Sequence, residues 1–425
     1  MNILIKDILT VLPDKAEVRS VYIVDGIIAS VTDAPDCFVP DKTIYGMGKI
    51  LIPGLVNAHT HASMTIFRNC ADDMLFNDWL FGRIMPLEDK LVSEDCYWGT
   101  MLAIMEMLRC GTTAFIDMYY FMDELAHAIL DSGIRAVLSR GLMGGNDDVS
   151  GGEARLREAL DAASQWKGYP NLSFMLAPHA PYTCDEGFQR EIASAAKDYG
   201  MSINTHLSES LAEIETIREK YGCSPIELFD RNGLLSDTTV AAHCVHVSDS
   251  DIEIMAGRGI CVATNPISNL KLANGVAPIP KILKAGIKVA LGTDGAASNN
   301  SLNMFRELSA LTLIHKGINH DAQAVIAREG FAIATKNGAM AIGRNDIGEI
   351  MPGNAADLAI LSLDHPNMQP VNDPVAALAY SANGSEVETV IVSGKILMEN
   401  RDFLTIDAEQ TIYEVSRICE RIGTR

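Results

Sequence analysis

Between Leu51 and Gly292, eight short apolar runs alternate with longer stretches of helical periodicity. The runs are Leu51–Val56, Thr113–Met118, Ala136–Ser139, Leu172–Ala177, Ser202–Thr205, Thr239–Ala242, Ile260–Thr264 and Lys288–Gly292. Between them the spacing predicts helices such as Cys96–Cys110, Asp123–Ser132, Gly151–Trp166, Gly187–Tyr199, Leu211–Tyr221 and Ser248–Arg258. Strands separated by helices form parallel sheets, because each helix carries the chain back before the next strand begins. Eight such units suit an α/β fold of the (β/α)8 TIM-like barrel type. An open doubly wound sheet is the alternative, but no Gly-x-Gly-x-x-Gly follows an early strand.

The ends of the chain follow another rhythm. Ile3, Ile5 and Ile8, then Val18, Val21, Ile23, Ile27 and Val31, are interrupted by Pro13-Asp14 and Asp25-Gly26, a pattern of short antiparallel strands and turns. Asp357–Leu361 and Thr389–Val392 resume it, and Ser393-Gly394-Lys395 turns into Ile396–Met398. The ends are expected to pair into a small β-sandwich domain, residues 1–55 with 357–425, beside a catalytic barrel of residues 56–356. A helix over Ala408–Ile422 is expected to close the chain.

The 425 residues are 48% hydrophobic, enough to bury a core of this size. A net charge of -21 with no basic stripe excludes nucleic acid as a partner. The nine cysteines include no Cys-x-x-Cys pair, which points to reduced thiols rather than a disulfide framework. Met1 to Asp7 lacks the basic and apolar regions of a signal peptide, and no run approaches the roughly 20 apolar residues of a membrane helix. The expectation is a cytoplasmic protein with no membrane partner, free to assemble as a homo-oligomer.

The chemistry sits where the barrel runs end. His59 and His61 close the first run; residues i and i+2 of a strand point the same way, so both imidazoles can reach one point. Arg140 follows the third run, His179 the fourth, His206 and Glu209 the fifth, His243 the sixth, Asn265 and Asn269 the seventh, and Asp294 the eighth. All these ends share the carboxyl rim, where barrel enzymes build active sites. His59, His61, His206 and Asp294 make a donor set for one divalent ion, with zinc favoured and iron, manganese or nickel also suited. A second ion would need a bridging ligand, a carboxylated lysine on the fourth strand, and Leu172–Ala177 contains no lysine. Such an ion lowers the pKa of water toward ~7 and supplies hydroxide near neutral pH. Removal of an amine from an aromatic ring also needs a proton delivered to a ring nitrogen, and Glu209, close to His206, is placed for that. Asp294 can take the proton of the water, and His243 can orient it or stabilise developing charge.

Pro53-Gly54-Leu55-Val56-Asn57-Ala58-His59-Thr60-His61, His206-Leu207-Ser208-Glu209, His243-Cys244 and Gly292-Thr293-Asp294-Gly295-Ala296-Ala297-Ser298-Asn299 occur in that order. Together they resemble the amidohydrolase superfamily and, within it, the branch of 5-methylthioadenosine/S-adenosylhomocysteine deaminases. The resemblance covers essentially the whole chain. It implies a nucleoside substrate, enclosed by Trp79 in Asn77-Asp78-Trp79-Leu80 and held at the ribose hydroxyls by Glu88 in Pro86-Leu87-Glu88-Asp89-Lys90. It also implies substrate contacts from Arg140, His179, Glu209 and Asp294. Arg155 reads instead as part of the solvated face of a helix over 153–166. The rivals are a deaminase or chlorohydrolase of guanine or a triazine on the same scaffold, and a catalytically silent metal-binding barrel.

Overall fold

Eight parallel strands follow one another around a single sheet: Leu55–Thr60, Thr112–Tyr119, Arg135–Leu142, Leu172–Pro178, Ser202–Leu207, Thr239–His243, Cys261–Thr264 and Lys288–Leu291. The structure is a computed structural model and describes residues 1–424. Most residues of these strands are buried on both faces, which is why they read as continuous apolar runs without alternation. The last strand returns beside the first. There the Asp294 amide donates to the His59 carbonyl at 3.0 Å. Asn57 donates to Thr293 Oγ1 at 2.7 Å and accepts from the Thr293 amide at 3.0 Å. Gly292 makes this approach possible, since a Cβ there would lie 2.9 Å from the His59 nitrogen.

The first predicted strand is in fact two. Lys49–Pro53 pairs antiparallel with Leu358–Ser362, in the sheet built by the chain ends, and Leu55–Thr60 opens the barrel. The chain changes sheets at Gly54, where a Cβ would sit 2.0 Å from Thr113 Oγ1. Both strands are fully or nearly buried, so one unbroken apolar run concealed the switch.

The chain ends build one continuous nine-stranded sheet. Ile3–Val11 pairs with Ala16–Val24, Lys42–Tyr45 and Lys49–Pro53, and the C-terminal strands continue the sheet beyond Leu358–Ser362. Strands from both halves contribute to a single apolar cluster that includes Ile5, Val21, Leu358 and Ile391. The last helix spans Ala408–Ile422 as expected. Although it follows the terminal strands in the chain, it docks on the barrel side. Lys90 Nζ donates to the Ile422 carbonyl at 2.9 Å, Arg421 pairs with Asp95, and Cys419 Sγ donates to the Ile66 carbonyl at 3.4 Å. Among the described residues, no helix is long and apolar enough to cross a membrane.

One buried ion pair joins barrel and terminal sheet. Arg135, at the start of the third barrel strand, reaches Asp357 with Nε at 3.0 Å, and its Nη2 also donates to Ser393 Oγ at 2.8 Å. Asp357 further accepts from the Ser393 amide at 2.7 Å. Removing one partner of such a pair strands the other charge, at a cost of about 3–5 kcal/mol. Asp357→Ala is therefore expected to lower the denaturant midpoint by that amount of stability, whereas a loss below about 1 kcal/mol would show that the junction holds without it.

Candidate active site

Each strand end delivers its side chain through a local device. Strand one ends in His59-Thr60-His61. Asp117, on the neighbouring strand, accepts from Thr60 Oγ1 at 2.9 Å and from the Ala62 amide at 2.6 Å, so it grips both residues flanking His61. His61 Nδ1 donates to the Met118 carbonyl and His206 Nδ1 to the His179 carbonyl, both at 2.7 Å. Each bond engages Nδ1 and turns Nε2 toward the centre of the site. The backbone is left-handed at His243, Asp294 and at Ser208 just before Glu209, with φ of 73°, 61° and 53°. Non-glycine residues adopt that conformation at a cost of order 1–3 kcal/mol each, and it is found where a site requires it.

One ligand atom from each of His59, His61, His206 and Asp294 lies within 4.8 Å of all the others. His61 Nε2 and His206 Nε2 face each other at 3.1 Å. Both ring nitrogens of His59 are buried with no hydrogen-bond partner. Asp294 Oδ1 stands 3.2 Å from His61 Nε2 and 3.7 Å from His59 Nε2. Its Oδ2 accepts from Ser268 Oγ at 2.6 Å and Ser298 Oγ at 2.8 Å. Converging nitrogens and an orphaned buried imidazole are unfavourable by themselves and suit a divalent cation. Burial holds His59 and His206 well below the usual imidazole range, so both offer neutral nitrogens. Burial alone would raise the Asp294 carboxyl, but its bond to His61 and the imidazoles around it keep it well below the ordinary value, ionised for ligation; burial alone would lower His61, but that carboxylate raises it to about 9, so an ion binding here displaces a proton from His61.

The same cavity, with about 710 Å³ of open space reaching the surface, is lined by His179, Glu209, His243, Trp79 and Glu88 as well as by three of the four donors. Glu209 is buried, which raises its carboxyl, and Asn274 Nδ2 donates to its Oε1 at 2.9 Å. Its Oε2 lies 3.8 Å from His243 Nε2. His243 Nδ1 donates to Asn269 Oδ1 at 2.8 Å, leaving Nε2 unpaired and facing the site. His179 is bonded through Nδ1 to Thr183 Oγ1 at 3.1 Å, and burial, with the charge of His61, drops it to about 4. Glu88 is pushed up by burial to about 7 and accepts from the Tyr120 hydroxyl at 3.3 Å. Trp79 is buried, with its Nε1 unpartnered.

Two arginines stand outside this lining. Arg140 pairs through Nε with Glu158 at 2.9 Å, donates to the Gly141 carbonyl and lies over the Tyr120 ring at 4.9 Å. Gly141, next to it in the strand, lines the cavity, whereas Arg140 packs against the lining residue Tyr120. Arg155 pairs with Asp148 at 2.7 Å and donates to the Met143 carbonyl at 2.8 Å. Other parts of the site went unread in the sequence. Tyr119, Tyr120 and Tyr182 line the cavity, and Glu213 accepts from the Ser208 and Glu209 amides at 2.8 Å each. A carboxylate three residues into the helix that follows Ser210 was the available signal for Glu213.

The chain is a member of the amidohydrolase family, whose model matches residues 50–397. It is 45% identical, over 98% of both chains, to the 5-methylthioadenosine/S-adenosylhomocysteine deaminase of Dictyoglomus thermophilum, and 44% identical, over 99% of both, to the protein of that name from Caldanaerobacter subterraneus. Among solved structures it superposes with a TM-score of 0.95 on an adenosine deaminase from Xanthomonas campestris with bound zinc, 33% identical and covering 100% of this chain and 99% of that one.

Loss of one of four donors weakens a site by more than the roughly 10–100-fold typical of changes to groups that only orient the donors. His206→Ala protein dialysed against metal-free buffer is expected to retain far less divalent metal than wild type by elemental analysis; equal retention would remove His206 from the ligand set.

Proposed function

We propose that this protein is a zinc-dependent hydrolase that deaminates the adenine ring of 5′-substituted adenosines. Its substrates in this reading are 5-methylthioadenosine and S-adenosylhomocysteine, with 5′-deoxyadenosine and adenosine acceptable to the same site, and its products are the inosine derivative and ammonia. One zinc ion per subunit is held by His59, His61, His206 and Asp294. The observation that carries the reading is the presence of two acids in the donor-lined cavity, the buried Glu209 beside His243 and the half-buried Glu88 beside Tyr120. The deaminase names of the relatives at 45% and 44% identity support it.

When bound, the ion makes water nucleophilic at neutral pH. The protein supplies the proton traffic. Glu209, whose carboxyl burial raises and Asn274 steadies, gives a proton to the ring nitrogen next to the carbon under attack. Asp294 Oδ1, the oxygen not tied to serines, takes one proton from the attacking water and passes it to the departing amine. His243 Nε2, a lone pair by virtue of the Nδ1 bond to Asn269, accepts from that water and aims it. The carbon–oxygen bond forms, the carbon–nitrogen bond breaks, and Glu209 recovers a proton as the added hydroxyl becomes the carbonyl. Glu88 accepts from two vicinal ribose hydroxyls, and Trp79 covers the nucleoside. Guanine and triazines carry no such diol, so they leave Glu88 without a task.

Glu209→Gln is expected to cut ammonia release by on the order of 10²–10⁴ with metal content unchanged; near-normal turnover would remove Glu209 from the proton-donor role. Glu88 gives a pH signature. Only its carboxylate accepts two hydroxyls, and burial raises its pKa to about 7. The accepting form therefore prevails above about 7 and is lost as pH falls. KM for a nucleoside should rise toward acid with a midpoint near 7, and Glu88→Gln should abolish that dependence; a KM that stays flat between pH 6 and 8 in wild type would detach Glu88 from the ribose.

A further inference from the structure

We infer, resting on the proposed donor set, that Glu307 is a positioning residue for Asp294, fixing which of the two Asp294 oxygens is left for the ion. Asp294 Oδ2 accepts from Ser268 Oγ at 2.6 Å and from Ser298 Oγ at 2.8 Å, while Oδ1 faces His61 Nε2 at 3.2 Å and His59 Nε2 at 3.7 Å. The two serines come from different segments, Pro266–Lys271 after the seventh barrel strand and Ala296–Asn299 after the eighth. For both to meet one oxygen, the two segments have to be joined. Glu307, on the helix Met304–Asn319 and 1% exposed, joins them. Its Oε2 accepts from the Ile267 amide at 3.1 Å, and its Oε1 accepts from Asn299 Nδ2 at 2.5 Å. Ile267 precedes Ser268, and Asn299 follows Ser298. One buried carboxyl group thus holds the residue next to each serine.

A third connection runs to the Asp294 backbone. Asn299 Nδ2 also donates to the Thr293 carbonyl at 2.6 Å, so Asn299 bridges Glu307 to the residue before Asp294. Both of these partners are acceptors, which fixes the amide with its nitrogen toward them and leaves Asn299 Oδ1 buried without a partner. An orphaned buried oxygen lowers stability, and it persists here because the bridge requires that orientation. Asp294 itself has φ of 61°, a conformation that the surrounding structure has to impose on a residue with a Cβ. Capping of the short helix Pro266–Lys271 would account for the Ile267 bond alone. It accounts neither for the bond to Asn299 nor for the oxygen that the two serines share. Glutamine at position 307 would keep the size of the side chain but remove one acceptor, so an N–H would face either the Ile267 amide or that of Asn299. One serine segment would lose its anchor, and the Asp294 carboxylate would be free to turn away from the ion.

The test is the zinc affinity of the full chain, read by competition with a chromophoric chelator, with the denaturant midpoint of the metal-free protein measured alongside. Glu307→Gln is expected to weaken zinc binding by roughly 10–100-fold, the range for groups that orient a donor, and the paired change Ser268→Ala with Ser298→Ala should do the same. Adding Glu307→Gln to the paired serine change should weaken zinc little further, because residues that act through one another are not additive. A carboxyl group that only supports the fold would lower the midpoint and leave zinc affinity within about twofold of wild type, or would add its full effect to that of the serines; either result overturns the inference. If Glu307→Gln does not fold, Asn299→Ala opens the same bridge from its other end and carries the same expectation, and unchanged zinc affinity there overturns the inference equally. Zinc affinity reads the donors whether or not the protein is a deaminase. Asp294→Ala is the reference: unaltered zinc affinity in that variant would remove Asp294 from the donor set, and the role of Glu307 with it.

Discussion

Two imidazole nitrogens 3.1 Å apart, with a carboxylate oxygen beside them, form the constraint on which the rest of this structure depends. Such an arrangement is repulsive unless a cation sits among the donors, so every element that aims them must be stiff. The barrel provides this through its register. The ring of His61, at the end of the first strand, is turned by a carbonyl of the second strand, and that of His206, on the fifth, by a carbonyl at the end of the fourth. Asp294 comes from the eighth strand and is joined back to the first through the His59 carbonyl. His61, His206 and Asp294 are thus each tied to a strand other than their own, and a slip of a neighbouring strand would misdirect them.

The proton-handling groups obey the same logic one step further from the centre. Glu209 follows a left-handed residue, Ser208, and the two amides there are gathered by the Glu213 carboxylate from the following helix. Asn274 approaches from the loop beyond the seventh strand and holds the Glu209 carboxyl. His243 is fixed by Asn269, from the same region. Glu209 and His243, the pair to which the proposal gives the proton traffic, are therefore placed by one polar layer behind the metal donors.

The eightfold alternation, the terminal sheet and the donor set were legible in the sequence because each rests on local pattern: period, turn residues and strand-end chemistry. The helix over Ala408–Ile422 could be read to the residue. Its docking on the barrel could not, because docking depends on partners such as Asp95 and Ile66 that are remote in the chain. The split at Gly54 stayed hidden because burial on both faces erases the difference between two strands and one. The ion pair of Arg140 with Glu158 was not legible either, because it depends on how a helix packs on the strand. Tyr119, Tyr120 and Asn274 left no mark, since a tyrosine or asparagine near a strand end is common in any barrel.

In the proposed reaction, chemistry and substrate choice are carried by different kinds of structure. The donors and the proton-handling groups stand at the ends of barrel strands, in register with their neighbours. Trp79 and Glu88 come from a helical excursion over 76–88, whose middle, Leu80–Ile84, is wound as a π-helix. Gly82 lies there with no neighbour within 4 Å of where its Cβ would be. Irregular helical turns of this type gather at functional sites because they tolerate rearrangement. A metal centre that allows little movement is thus combined with a covering segment that can be reshaped without disturbing it. Contacts to sugar and tail can then change while the ring chemistry stays fixed, which is the division expected when loops on a rigid barrel determine what the enzyme accepts.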